Sequence, residues 1–149
     1  MYKHILVPTD GSALSLKAAR QATELAKSMK AKITTVYVVP PFRQPYDGDG
    51  VSFPSADYSP AVHEARHGRY ADAAFAKVEA AAARAKVPVS RLKVTGDAPW
   101  RSIIDSAKAK KCDVIVMASH GRGGIGTLIL GSETNKVLAH SKTPVLVCR

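Results

Sequence analysis

The chain has 149 residues, 46% hydrophobic and 23% charged, the balance of one ordinary soluble domain. That length buries about 70% of the unfolded surface without help from disulfides or metals. Two cysteines exclude a disulfide framework, no apolar run reaches the roughly 20 residues of a membrane span, and 22 Lys and Arg against 12 Asp and Glu leave a formal charge of +10. This excess favours anionic partners: nucleotides, nucleic acid, acidic proteins or a membrane surface. The basic residues form no block of five or more, so a solvated face is the expected reading.

The opening Met1-Tyr2-Lys3-His4-Ile5-Leu6-Val7 reads as a strand without a signal-peptide cleavage site, which places the expected location in the cytoplasm. After Pro8 the turn residues Thr9-Asp10-Gly11-Ser12 change the period. Leu14, Ala18, Ala22, Leu25, Ala26 and Met29 then form a helical stripe with Ser12 as its N-cap. Residues 33–39 are β-branched and aromatic and stop at Pro40-Pro41, as a second strand does. Residues 40–60 carry Pro, Gly, Asp and Ser and predict a long loop, functional or mobile. A second helix begins near Ala61 with Ala71, Ala74, Phe75, Val78, Ala81, Ala82 and Ala85 as its stripe, and ends before Pro88.

A short strand over 91–95 follows. Asp97 is expected to cap a third helix with Pro99 in its first turn and Trp100, Ile103, Ile104 and Ala107 in the core. Residues 113–118 lack polar alternation, the mark of a strand covered on both faces. A glycine-rich loop, a short helix containing Val137 and Leu138, and a last strand over 144–148 complete a single domain spanning 1–149. Alternating strands and helices imply a doubly wound α/β fold: a five-stranded parallel sheet with helices on both faces. Its ligand site lies beyond the carboxyl ends of the strands, where strand order reverses. Cys112 opens one strand and Cys148 closes another, about 15 Å apart and too far to bridge.

The segment from Ala118 to Thr134 leaves a buried strand through glycines and enters a helix. Its free helix-start amides suit phosphate oxygens, although a plain tight loop with Ser132 as a cap gives the same pattern. Gly121 to Gly126 matches a dinucleotide fingerprint but follows the fourth strand and has no acidic partner about 20 residues on. Gly126 to Ser132 has P-loop glycine spacing without its lysine. His63-Glu64-Ala65-Arg66-His67 satisfies H-E-x-x-H, yet without a third ligand it reads as a solvated helix start with weak metal binding at most. His120 and Asp10 share the sheet edge but no G-x-S-x-G elbow supplies a nucleophile. Asp10 either accepts from a ligand hydroxyl or closes the Gly11-Ser12 turn.

Ile5-Leu6-Val7-Pro8-Thr9-Asp10-Gly11-Ser12, the run from Asp113 to Arg122, Gly131-Ser132 and Pro144-Val145-Leu146-Val147 together resemble the universal stress protein family over essentially the full length. The resemblance implies the adenine nucleotide alpha hydrolase-like fold. Of the nucleotide-binding pattern G-x2-G-x9-G-[S/T], Gly121, Gly131 and Ser132 are present, whereas the first glycine is Ala118. If that position requires positive φ, a Cβ costs about 1–2 kcal/mol, roughly tenfold in affinity. At negative φ the methyl is harmless.

The resemblance implies ATP with Mg²⁺ as ligand. Asp10 would contact the ribose, Val38 the adenine, Ala118 the ribose region, and Gly121, Gly131, Ser132 and Glu133 the phosphates, largely through main-chain amides. Pro8, Thr9, Met117, His120, Arg122 and Thr134 complete the implied site. It also implies a homodimer made by the last strand, Val145, Leu146, Val147 and Cys148. Without a P-loop lysine or a placed general base, efficient hydrolysis is not expected. A nucleotide-free interaction module with an unidentified protein partner is the alternative. Nucleic-acid binding ranks third, since 6% aromatic content offers no stacking platform. No membrane contact is expected.

Overall fold

Ile5, Leu6 and Val7 expose no surface, because β1 (His4–Pro8) is the central strand of a sheet covered on both sides. In this computed structural model, which describes residues 1–45, 56–121 and 130–149, the sheet has five parallel strands. The others are β2 (Lys32–Val39), β3 (Val89–Thr95), β4 (Val114–Ala118) and β5 (Val145–Cys148), in spatial order β3-β2-β1-β4-β5. Strand order therefore reverses between β1 and β4. β4 is buried at every position, as its unbroken apolar run predicts, whereas the edge strand β5 leaves Leu146 46% exposed.

Helices α1 (Ala13–Met29) and α2 (Pro60–Arg84) cover one face, where Ala18, Ala22 and Ala26 pack with Val78, Ala82, Ile5 and Val7. Small alanines on α1 let the helix lie close to the strands. Helices α3 (Pro99–Ala109) and α4 (Ser132–His140) cover the other face through Ile103, Ala107 and Val137 against Leu6, Ile115 and Met117. The two cysteines are free and buried on opposite faces of the sheet, Cys112 with the second cluster and Cys148 with the first. Burial pushes the Cys112 thiol up to about 11 and raises that of Cys148, so both are packing groups.

Ser12 caps α1 as expected, its Oγ accepting from the Ser15 amide at 3.1 Å. Leu14, by contrast, is exposed rather than core, in the first turn of α1. Asp97 does not cap α3. The N-cap is Ala98, without a side-chain bond, and the carboxylate of Glu133 arrives from α4 to accept from the Trp100 amide at 2.9 Å. Trp100 is half-buried, its ring 4.9 Å from that of His140 with the Arg101 guanidinium at 5.2 Å, rather than a core residue. The stretch expected to be loop over 40–60 is shorter at its far end. A 3₁₀ turn covers Ala56–Tyr58, and Ser59 caps α2, its Oγ accepting from the Val62 amide; residues 46–55 lie outside the described part.

Three helices end identically. Lys30, Lys86 and Lys111 take left-handed φ of 54°, 57° and 53° after α1, α2 and α3. The next amides, of Ala31, Val87 and Cys112, donate back to Ala26, Ala82 and Ala107 at 2.8, 3.0 and 2.8 Å. This is the Schellman geometry, with an apolar residue tucked under the corner each time. Glycine usually occupies that position, and a Cβ there costs about 1 kcal/mol.

Candidate functional site

The carboxyl ends of β1, β2 and β4 diverge where strand order reverses, and a cleft of about 300 Å³ opens there. That volume lies at the lower end of the range for small-molecule sites. Its apolar wall is made by Val36, Tyr37 and Val38 from β2, Met117 from β4, and Pro99 and Ile103 from α3. Its polar rim carries Asp10, His120 and Glu133.

The rim begins where Gly11, at φ 79°, turns the chain out of β1. Asp10 Oδ1 accepts from the Ser12 amide at 2.9 Å, so the turn-closing role expected of it is filled by one oxygen. Its Oδ2 points across to β4's exit and stands 3.1 Å from where a Cβ on Gly121 would sit. Beneath it Thr9 is buried. Its amide donates to Val36 O at 2.9 Å, and its Oγ1 accepts from the Gly11 amide and lies 3.2 Å from Ser15 Oγ. Lys77 on α2 donates to Gly11 O at 3.3 Å, which brings a cation to the turn.

Opposite, β4 hands over to α4. Thr134 Oγ1 donates to Ala118 O at 3.0 Å, and the Gly131 amide donates to Ser119 O at 2.8 Å. A Cβ on Gly131 would stand 3.1 Å from Ser119 O and 3.3 Å from His120 Cα, so glycine is what lets the two segments meet. Gly131 is the N-cap of α4 and Ser132 its first helical residue, so the alternative in which Ser132 serves only as a cap does not hold. The Gly131 amide, spent on Ser119, also drops out of the expected set of phosphate donors. Ser132, Glu133 and Thr134 open α4, so their amides have no carbonyl within the helix to take them. They lie at its positive end.

Of the residues expected around the nucleotide, Pro8, Thr9, Asp10, Val38, Met117, Ala118, His120, Gly121, Glu133 and Thr134 all line the cleft. Gly131 and Ser132 adjoin it through α4's start, and Arg122 lies outside the described residues. Ala118, the departure from the glycine pattern, is a strand residue outside the left-handed region, and its methyl packs in the α1 cluster. It carries no backbone penalty. His120 Nδ1 lies 3.1 Å from Ser119 Oγ. Ser15, Val36, Tyr37, Pro99 and Ile103 also line the cleft, although the sequence pattern does not point to them as site residues. The last two looked like ordinary helix residues, and only the fold sets the start of α3 over the cleft.

The H-E-x-x-H segment is not assembled as a metal centre. His63 Nε2 binds Pro40 O at 2.8 Å, and Glu64 is paired with Lys93, whose hydrogen bond holds the Glu64 carboxyl below its ordinary range. Among the described residues no group of three metal-ligating side chains exists. Nor is any described helix long and apolar enough to cross a membrane.

These features define a class: a doubly wound α/β protein with an apolar cleft and a helix start at its strand-order switch. The chain belongs to the universal stress protein family, whose model matches residues 1–149. It is 32% identical over 151 residues to a universal stress protein of Methanocaldococcus jannaschii, covering all of this chain and 83% of that one. Among solved structures, the universal stress protein UspA from Lactobacillus plantarum superposes with a TM-score of 0.77 at 26% identity, over 99% of this chain and 98% of that one. A universal stress protein solved in complex with cAMP gives 0.66 at 26% identity, over 99% and 97%.

Proposed function

We propose that this universal stress protein holds ATP, with Mg²⁺ on its phosphates, as a regulatory ligand of a stress response in the cytoplasm. The observation that carries the reading is the junction of an apolar slot with the start of α4 at the β1/β4 switch. In this reading the base lies against the apolar wall that includes Val38 and Ile103. A ribose hydroxyl donates to Asp10, whose Oδ1 also keeps the turn closed. Phosphates reach the amides of Ser132, Glu133 and Thr134, with the Ser132 hydroxyl beside them. A structural relative solved in complex with cAMP supports an adenine nucleotide as the class of ligand.

Turnover is expected to be slow. The described rim residues that touch the cleft are a turn-closing carboxylate, a histidine bound to Ser119 and a glutamate that caps α3, so no described base is aimed at a water in line with a phosphate. The same reading makes β5 a dimer seam, with Leu146 exposed on an edge strand, so that Val145 to Cys148 pairs with a second copy. A nucleotide-free interaction module draws support from one feature, the Gly131 amide already committed to Ser119.

Isothermal titration with ATP and Mg²⁺ separates the two. Saturable heat with a dissociation constant below the millimolar range, together with hydrolysis slower than nucleotide release, supports the ligand reading. No heat at millimolar nucleotide overturns the ligand reading and favours the interaction module.

A further inference from the structure

In a parallel sheet with helical crossovers every strand starts, and every helix ends, at the same edge. That edge, opposite the cleft, is where the charge excess of this chain gathers. Lys3, Lys27, Lys30, Lys32 and Lys86 surround one shallow depression between the ends of α1 and α2. Arg84 stands beside them, and Lys108, Lys110 and Lys111 close α3 on the other face of the sheet. The two groups are continuous, for Lys32 and Lys110 both act electrostatically on His4 between them. All nine cations are exposed, and none makes an ion pair with another described residue.

Charges at helix ends have an ordinary role, offsetting the helix dipole, and the magnitudes decide whether that role accounts for them. Four helix C-termini lie at this edge and supply about half a negative charge each. Asp113 adds one, and its Oδ2 is already taken by the Lys3 and His4 amides at 2.6 and 2.8 Å. Counting Glu24 and Asp105, a turn or so back along α1 and α3, about four positive charges remain unmatched. The backbone points the same way. Lys30, Lys86 and Lys111 occupy left-handed corners where glycine is the less strained residue, so this chain carries a cation at each corner against local preference.

We infer that this lysine-rich edge is a docking surface for the phosphate backbone of a nucleic-acid duplex, bound without regard to sequence. Eight of the nine cations are lysines, point charges without the planar fork that reads a base edge. Tyr2, the aromatic at this edge, is packed against the core, which leaves no platform for stacking unpaired bases. Met1 is a large exposed apolar side chain at this edge, and one methionine is too little to anchor the protein in a bilayer. Five strands make the edge about 20 Å wide, a span that meets on the order of ten duplex phosphates. The surface is independent of the nucleotide cleft, which lies at the opposite ends of the same strands.

The test is fluorescence anisotropy with a labelled 20-base-pair duplex of random sequence across a salt series, using three full-length proteins. One is wild type, and one carries Lys30→Gly, Lys86→Gly and Lys111→Gly, changes that suit the corner geometry and keep the fold. The third is a charge-matched control with Arg66→Gln, Arg69→Gln and Arg101→Gln, exposed positions away from this edge. Wild type is expected to bind with a steep salt dependence. The lysine variant loses at least tenfold in affinity at moderate salt and about 2.7 in the log–log salt slope, while the control stays within threefold. Equal weakening of both variants, no duplex binding at low salt, or binding to phosphatidylserine vesicles in place of the duplex overturns the proposal.

Discussion

The two ends of this sheet are built from the same strands and helices, yet they present opposite backbone chemistry. At the carboxyl edge each helix begins, so amide groups face outward, and the chain turns through Gly11 and Gly131 to bring segments close around a hollow. At the amino edge each helix ends, so carbonyls face outward, and Schellman bonds satisfy them within three tight corners. One end leaves donors for a ligand. The other consumes its backbone groups internally and leaves only side-chain charge, which is why the first is a polar-rimmed cleft and the second a cationic face around a shallow depression.

The largest effect expected from breaking this contrast lies at the cleft. Gly131→Val places a branched Cβ 3.1 Å from Ser119 O, a backbone atom that cannot yield. Nucleotide affinity is expected to fall at least tenfold in calorimetry. The thermal midpoint falls with it, since overpacking of this kind costs about 1–3 kcal/mol. At the amino edge the same class of change has the reverse sign. Glycine at 30, 86 and 111 relieves left-handed strain, and thermal unfolding is expected to show a gain of about 0.5 kcal/mol per corner with ATP affinity unchanged.

A subtler difference is in pH response. Burial, then the nearby Lys32, lowers the pKa of His4, whose Nε2 lies 2.8 Å from Thr34 Oγ1. A histidine whose folded pKa is depressed adds stability above the unfolded value near 6.5 and loses it as pH falls through the folded one. Asp113, held low by the Lys3 and His4 amides, keeps its contribution until pH drops below the ordinary carboxylate range. Thermal melts from pH 7 to 5 are therefore expected to decline, and His4→Gln to flatten that decline. The smallest effect belongs to Ala118→Gly. It restores the glycine pattern, but because Ala118 sits in ordinary strand geometry, titration is expected to show less than a threefold gain in affinity alongside a loss of about 0.5–1 kcal/mol in stability.

Most of this organisation was legible in the residues because it is local. Ser12 before an apolar stripe, the unbroken 114–118 run and the stops at Pro40 and Pro88 each encode a boundary within a few positions. What was not legible depends on partners far along the chain. Asp97 had the right chemistry for a cap but sits one residue too early, and the bond to α3 comes instead from Glu133, a residue on another helix. Pro99 and Ile103 joined the cleft wall through strand order alone. The lysines looked scattered because their clustering follows from three separate helix ends meeting at one edge, a property of topology rather than of any window of sequence.

A crystal structure of the protein grown with ATP and Mg²⁺ tests the central claim most directly. The account predicts the base against the wall that includes Val38 and Ile103, the ribose on Asp10, and the phosphates against the first-turn amides of α4. A nucleotide bound elsewhere, or none at millimolar concentration with the cleft closed by its own side chains, contradicts it.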